Sequence, residues 1–188
     1  LDLNRSDILV LKDLLRAMEE SGHTEESVPY YQRLIALAEN SREKADASLR
    51  IGAVQLTKDP ASAAEWYERA LTFDPEAGDA LTQLVSIYQA SKNWDGLLKT
   101  YERILSKTKG PEAAHLYFRL GELYEKHKGA TDRALVSYQI ASELDPKFIE
   151  PLGALRRLLR AEENWGEYLK VARAEAALAP SPASKAAL

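Results

Sequence analysis

Few residues of this sequence have the types and the spacing that catalysis or metal binding requires. The three histidines, His23, His115 and His127, lack a second metal ligand at the i, i+4 spacing that puts two ligands on one helical face. There is no cysteine, which excludes disulfides, thiolate metal sites and a cysteine nucleophile. There is also no glycine-rich phosphate loop. We therefore predict a protein that is not an enzyme and that has no catalytic, metal or cofactor site.

The neighbouring carboxylates do not have the geometry of an acid–base pair. Glu19 and Glu20 are adjacent, so on a helix their side chains point about 100° apart. Glu122 and Glu125 share a helical face, but a raised pKa would require a pocket around them. We expect carboxylates of this kind to be solvated.

Composition narrows the class of partner. Hydrophobic residues make up 45% of the 188 residues, which is enough to build a core. The formal charge of −4 and the pI near 5.5 argue against nucleic-acid binding, which normally uses a basic surface. No apolar run approaches the roughly 18 residues of a membrane span. We expect a cytoplasmic protein that neither binds nucleic acid nor inserts into a membrane.

The elements that must position any site are clearest between residues 116 and 146. Asp145–Pro146 ends this stretch, because proline cannot continue a helix and disfavours one before it. Four residues separated by three, one and three positions share one face of a first helix: Tyr117, Leu120, Gly121 and Tyr124. Three residues share one face of a second helix: Ala134, Tyr138 and Ala141.

This pattern resembles the tetratricopeptide repeat, whose signature runs W-x2-L-G-x2-Y, then A-x3-F, then P. Tyr117 takes the tryptophan position and Tyr138 the phenylalanine position. The successive separations between the equivalent leucine or isoleucine residues are 37, 33, 36 and 35 positions, close to the family period of about 34. The equivalent residues are Leu14, Ile51, Leu84, Leu120 and Leu155. The resemblance implies an all-α fold, a right-handed α-solenoid of about five stacked helix–turn–helix hairpins.

We expect one array over residues 1–188 that is a segment of a longer protein. The predicted hairpins cover approximately residues 6–40, 43–75, 77–109, 111–146 and 147–180, and residues 181–188 begin a further repeat. Residues 1–5 resemble the tail of an earlier hairpin, with Ser6 or Asp7 as the N-cap of the first helix. Neither end carries a polar capping helix, so self-association through the uncapped ends is a candidate mode of assembly.

Small residues and tryptophans indicate how the two helices of each hairpin pack together. Gly52 and Gly121 lie in mid-helix, where glycine costs about 0.5–1 kcal/mol relative to alanine, and close approach of a neighbouring backbone would offset that cost. The fifth hairpin has Arg156 at the equivalent position, so we expect its helices to pack more loosely. Trp94 and Trp165 each follow an asparagine at the turn into a second helix, where a large ring would close the hairpin.

The resemblance also implies that the first helices line a concave groove that binds an extended peptide or a partner helix. The predicted groove residues combine an apolar stripe with an aromatic and three charged side chains: Leu49, Ala53, Leu56, Phe118, Glu122, Arg157 and Arg160. The stripe has a second interpretation, burial between neighbouring hairpins. We predict a non-catalytic scaffold or adaptor that binds a peptide or protein partner through this groove. The alternative is a regulatory or substrate-recruiting arm of an enzyme whose catalytic domain lies outside this chain.

Overall fold

The computed structural model describes residues 2–178, with side chains from Asp7 onward, and this part of the chain contains helices and turns but no strand. A turn of π-helix, Tyr124–Lys128, directly continues the seventh α-helix. The α-helices in chain order are α1 (Asp2–Glu20), α2 (Val28–Leu37), α3 (Ser41–Gln55), α4 (Pro60–Phe73), α5 (Gly78–Ala90), α6 (Trp94–Leu105), α7 (Gly110–Leu123), α8 (Thr131–Leu144), α9 (Ile149–Ala161) and α10 (Trp165–Leu178).

The helices are grouped into two compact units, Leu1–Leu97 and Leu98–Leu188, and the division falls within α6. In the first unit α1 packs on α2, α2 on α3, α3 on α4 and α4 on α5. In the second unit α7 packs on α8, α8 on α9 and α9 on α10. Contacts between consecutive antiparallel helices joined by short turns are the architecture of an α-solenoid. The predicted all-α solenoid of helical hairpins is confirmed, whereas a single array over the whole chain stays a prediction. The further repeat predicted at 181–188 lies outside the described residues.

Side-chain caps and prolines set the ends of the helices. The Asp59 side chain accepts hydrogen bonds from the backbone N–H groups of Ala61 and Ser62, both at 3.1 Å, and Pro60 occupies the first position of α4. Asp–Pro pairs end α4 and α8, and in each the aspartate accepts a hydrogen bond from the N–H group two residues on, at 2.9 Å for Asp74 and 3.0 Å for Asp145. The turns between hairpins are therefore specified locally.

The first helix differs from the prediction. Residues 2–5 belong to α1, and Ser6 and Asp7 lie inside it, so neither is its N-cap and this stretch is not the tail of an earlier hairpin. The reason is the absence of a helix-breaking residue: Asn4–Arg5 stands where the junctions after α4 and α8 carry an Asp–Pro pair. Without proline the helix continues through this position.

The two mid-helix glycines make room for tyrosine rings. A Cβ atom on Gly52 would lie 2.9 Å from Cε1 of Tyr67, and one on Gly121 would lie 2.5 Å from Cε1 of Tyr138. Both tyrosines are buried. The close approach that we predicted for a backbone is thus made by the aromatic side chain of the second helix. Gly96 has a similar contact, since its Cβ would lie 2.9 Å from the Tyr88 ring.

The fifth hairpin lacks this contact. Arg156 takes the glycine position, and its Nε donates to Oε2 of Glu175 on α10 at 2.5 Å. No residue of α10 is buried, in keeping with the looser packing expected there. Trp165 is 54% exposed, so the prediction that its ring closes the hairpin is wrong. The ring makes an edge contact with Tyr168, one helical turn away.

Because of the glycine–tyrosine contact, we predict that replacing the mid-helix glycine by alanine lowers the stability of the protein. We expect Gly121→Ala to destabilise the second unit by about 1–3 kcal/mol, because the added methyl would overlap the buried Tyr138 ring. Gly166→Ala, in α10 of the same unit, is the matched control, since the nearest atom to its added Cβ is 4.0 Å away. It should raise stability by about 0.5–1 kcal/mol. Urea unfolding followed by circular dichroism measures both, and equal midpoint shifts would contradict the contact.

Candidate protein-binding surface

The apolar stripe predicted on α3 is only partly accessible. Leu49 and Leu56 are half-buried, and Ala53 is exposed. An open cleft of about 410 Å³ lies beside them, between α1 and α3, but none of the three residues lines it. The cleft is lined by Tyr31, by three apolar residues and by six charged side chains: Lys12, Arg16, Glu19, Glu43, Asp46 and Arg50. The cleft between α1 and α3 therefore has a largely charged lining, and the use of the apolar stripe by a partner stays a prediction.

Ion pairs across the cleft join the two first helices that form it. Lys12 Nζ on α1 lies 2.6 Å from Oε1 of Glu43 on α3. Glu19 on α1 lies 3.6 Å from Arg50 on α3 and accepts a hydrogen bond from the hydroxyl of Tyr31 on α2. Burial and this hydrogen bond raise the pKa of Tyr31 above its ordinary value, so the phenol stays a donor. Glu19, Tyr31 and Arg50 thus connect three helices through one carboxylate.

The second unit repeats this arrangement with different residues. Glu125 accepts a hydrogen bond from the hydroxyl of Tyr138 on α8 at 2.9 Å. Both of its carboxylate oxygens also accept from the guanidinium of Arg157 on α9, with Nη2 2.9 Å from Oε2. The hydrogen bond from Arg157 lowers the pKa of Glu125, outweighing burial, and Tyr138 lowers it further. We call the two groups Glu19–Tyr31–Arg50 and Glu125–Tyr138–Arg157 the Glu–Tyr–Arg triads.

The glutamates and tyrosines of the two triads occupy equivalent places in the repeat, whereas the arginines do not, because Arg50 precedes Ile51 by one residue and Arg157 follows Leu155 by two. Each glutamate directly follows the last residue of the 3, 1, 3 pattern in a first helix, Met18 or Tyr124. Its tyrosine lies in the second helix of the same hairpin and its arginine in the first helix of the next. In the second hairpin the same position is Leu56, so a triad of this kind cannot form there.

The structure brings two of the predicted groove residues, Phe118 and Arg157, together around Tyr138. Phe118 is half-buried, with its ring centroid 5.5 Å from that of Tyr138 and 5.3 Å from that of Phe148. Arg157 reaches the same tyrosine through Glu125. Arg160 lies one helical turn beyond Arg157 and is exposed.

Glu122 is the remaining predicted groove residue of the second unit, and it forms ion pairs with residues of its own helical segment. It lies 3.0 Å from Arg119 and 2.7 Å from Lys126. Burial alone would raise the pKa of Glu122, but the hydrogen bonds from Lys126 and Arg119 outweigh it and lower the pKa. The carboxylate is therefore ionised at neutral pH, as a charged groove position requires.

Sequence reasoning missed Phe148 and the triads. Phe148 precedes α9 in a turn, so no helical pattern indicated that its ring would cover Phe118 and stack on His115, with centroids 4.3 Å apart. The triads leave a weak signal, because the tyrosine follows the glutamate by 12 positions in one case and 13 in the other. Comparing hairpins for such pairs could have found them.

The histidines and carboxylates form no metal site in the part of the chain that the structure describes. No group of three or more His, Asp or Glu side chains is arranged to hold an ion there. His23 pairs with Glu26 at 3.5 Å, and His115 stacks on Phe148. In residues 2–178 no helix is long and apolar enough to cross a membrane.

The second triad predicts a defined dependence of stability on pH. Because the folded-state pKa of Glu125 is lowered, its contribution is present above the ordinary value of about 4.5 and is lost as the pH falls through the lowered value. We expect Glu125→Gln to destabilise the chain by about 1 kcal/mol at pH 7. The difference from the wild type should shrink as the pH falls below 4.5. Glu102→Gln, at an exposed position on α6, is the control. A difference that stayed constant between pH 7 and 3 in urea unfolding would argue against the triad.

Comparisons with known proteins agree with this architecture. No curated protein sequence matches the chain. Among solved structures, MamA AMB-1 is 18% identical and aligns over 94% of this chain and 96% of that one, with a TM-score of 0.57. Another MamA crystal structure is 17% identical over 92% and 96%, with a TM-score of 0.55. Pseudomonas aeruginosa PilF is 18% identical over 96% and 80%, with a TM-score of 0.50. At these identities the likeness concerns the fold.

The family is shown by the sequence itself. Models described as tetratricopeptide repeat match residues 13–78 and 80–114, which hold the first-helix and second-helix patterns of three successive hairpins. Such repeats are protein-interaction modules, so the general function is that of an interaction scaffold. The chain belongs to the tetratricopeptide repeat family.

Proposed function

We propose that this chain is a non-catalytic adaptor that binds an extended segment of a partner protein along the first helices of its hairpins. The observation that carries the proposal is the open cleft between α1 and α3. Six charged side chains surround this cleft, whereas sites for small molecules are lined mainly by apolar groups. A polypeptide with charges of both signs fits such a lining better than a small substrate does.

The framework of the cleft supports binding because it is preorganised. The Lys12–Glu43 pair and the Glu19 triad hold α1, α2 and α3 in fixed relative positions before any partner arrives. A surface that is already ordered loses less conformational entropy on binding. Arg16 and Asp46 are exposed between these pairs, so they are the side chains that we assign to the partner.

The second unit offers a related surface with a different lining. Phe118 and Glu122 stand at the repeat positions that Lys12 and Arg16 hold in the first unit. Arg160 adds an exposed positive charge on α9. We propose that this surface recognises an apolar side chain next to a charged one. Arg157 contributes mainly by holding Glu125, since its guanidinium is already paired.

A charge swap within the cleft tests the proposal. Arg16→Glu combined with Asp46→Lys reverses both charges and leaves the net charge unchanged. We expect it to weaken binding of partners captured by the wild-type chain at least about tenfold, or about 1.4 kcal/mol. Isothermal titration calorimetry with a captured partner measures the change.

The matched control moves the same swap to another helix. Arg33→Glu with Glu39→Lys changes exposed residues on and after α2, away from the cleft lining. Circular dichroism should show unchanged helix content in both variants. Wild-type affinity in the cleft variant would refute binding at α1 and α3. Phe118→Ala and Leu49→Ser then test the apolar positions, and loss of affinity in these alone would move the site to them.

A further inference from the structure

One face of α1 is apolar and uncovered. Its residues Val10, Leu14 and Ala17, here called the α1 stripe, are all exposed, with Val10 at 67% and Leu14 at 39%. Successive separations of four and three residues place them on one side of the helix. This side is distinct from the buried one, which carries Leu11 and Leu15.

The same positions are buried in other first helices. Leu14 corresponds to Ile51 in α3, Leu84 in α5 and Leu155 in α9, and these are 0%, 0% and 6% exposed. Each of those helices packs on the second helix of the preceding hairpin: α2 on α3, α4 on α5 and α8 on α9. The α1 stripe is therefore the half of a hairpin-to-hairpin interface that a first helix supplies.

The complementary half of such an interface, which a second helix supplies, is exposed on α10. The helices α4, α8 and α10 each have 14 residues, so their positions correspond from the first residue onward. Trp165, Leu169 and Ala176, here called the α10 stripe, then correspond to Pro60, Ala64 and Leu71 of α4.

Those positions of α4 face the next first helix. Ala64 is only 6% exposed and lies with Ile87 and Tyr88 in the groove between α4 and α5. In α10, by contrast, Trp165 is 54% and Leu169 is 53% exposed. Within residues 2–178 the α10 stripe is thus an exposed second-helix surface.

We propose that the α10 stripe of one copy of this chain binds the α1 stripe of a second copy, which continues the packing between hairpins from one molecule to the next. The α1 stripe lies on a first helix and the α10 stripe on a second helix, and these are the two kinds of helix that pack together between hairpins. Large aromatic residues dominate binding energy when they are fully desolvated at an interface, so we assign the anchor to Trp165.

The charges beside the stripes favour this pairing over a pairing of like ends. Asp13 and Glu20 are exposed beside the α1 stripe and Arg173 is exposed beside the α10 stripe, while Asp13 is paired with Arg16 at 3.6 Å and Lys170 with Glu167 at 2.6 Å. Contact between α1 and α10 brings opposite charges together, and contact between two α10 stripes would place basic residues against each other. A head-to-tail contact leaves one stripe free at each end, so assembly continues with rising concentration.

Sedimentation velocity of the 188-residue chain tests the proposal over roughly a hundredfold range of concentration. The weight-average mass of the wild type should rise beyond that of a dimer. Leu169→Asp and Val10→Asp should each remain monomeric, because each places a charge in one of the stripes. Val136→Asp is the matched control, since it changes an exposed valine on α8 and should associate like the wild type. Circular dichroism verifies that all variants keep their helix content.

Mixing the two disrupted variants distinguishes the modes of association. The Leu169→Asp chain keeps its α1 stripe and the Val10→Asp chain keeps its α10 stripe, so an equimolar mixture should form a one-to-one dimer and stop there. A wild type that stays monomeric throughout would overturn the proposal and leave the stripes to a different protein. Association that survives in either single variant, or a mixture that stays monomeric, would overturn the head-to-tail contact.

Discussion

The contact between a mid-helix glycine and a tyrosine ring links the interior of a hairpin to its first-helix surface. Gly121 lets the Tyr138 ring lie against α7, and this position brings the tyrosine hydroxyl to Glu125. Glu125 then holds Arg157 of the next hairpin. One side chain therefore closes a hairpin with its ring and aligns the following hairpin with its oxygen. A bulkier residue at Gly121 would disturb both.

The same first-helix face carries side chains that stabilise the packing of the helices and side chains that we propose contact a partner. Lys12, Glu19 and Arg50 are occupied by contacts between helices, while Arg16 and Asp46 extend from the cleft that those contacts shape. Such a division lets the exposed side chains differ between hairpins without loss of the framework. The contrast between the charged cleft of the first unit and the partly aromatic surface around Phe118 illustrates this.

The sequence was sufficient to predict the helices, the hairpin period and the small residues at Gly52 and Gly121, because helical geometry fixes these spacings locally. It could not predict that a tyrosine ring would fill the space beside each glycine, since that depends on the angle between two helices. Arg157 and Trp165 show the same limit. An arginine paired with Glu125 and one open to a partner have the same helical pattern, and whether a tryptophan is covered depends on the element beyond it.

The π-helical turn after α7 has a consequence for how repeats of this kind change in length. Glutamate and tyrosine are 13 positions apart in the fourth hairpin and 12 in the first. A π-turn holds one residue more than the same length of α-helix, and Tyr124–Lys128 lies next to this interval. Gly129, with φ of +59°, then ends it without side-chain strain. An inserted amino acid is thereby absorbed at the edge of the hairpin, and the glutamate and tyrosine on either side of it keep their hydrogen bond.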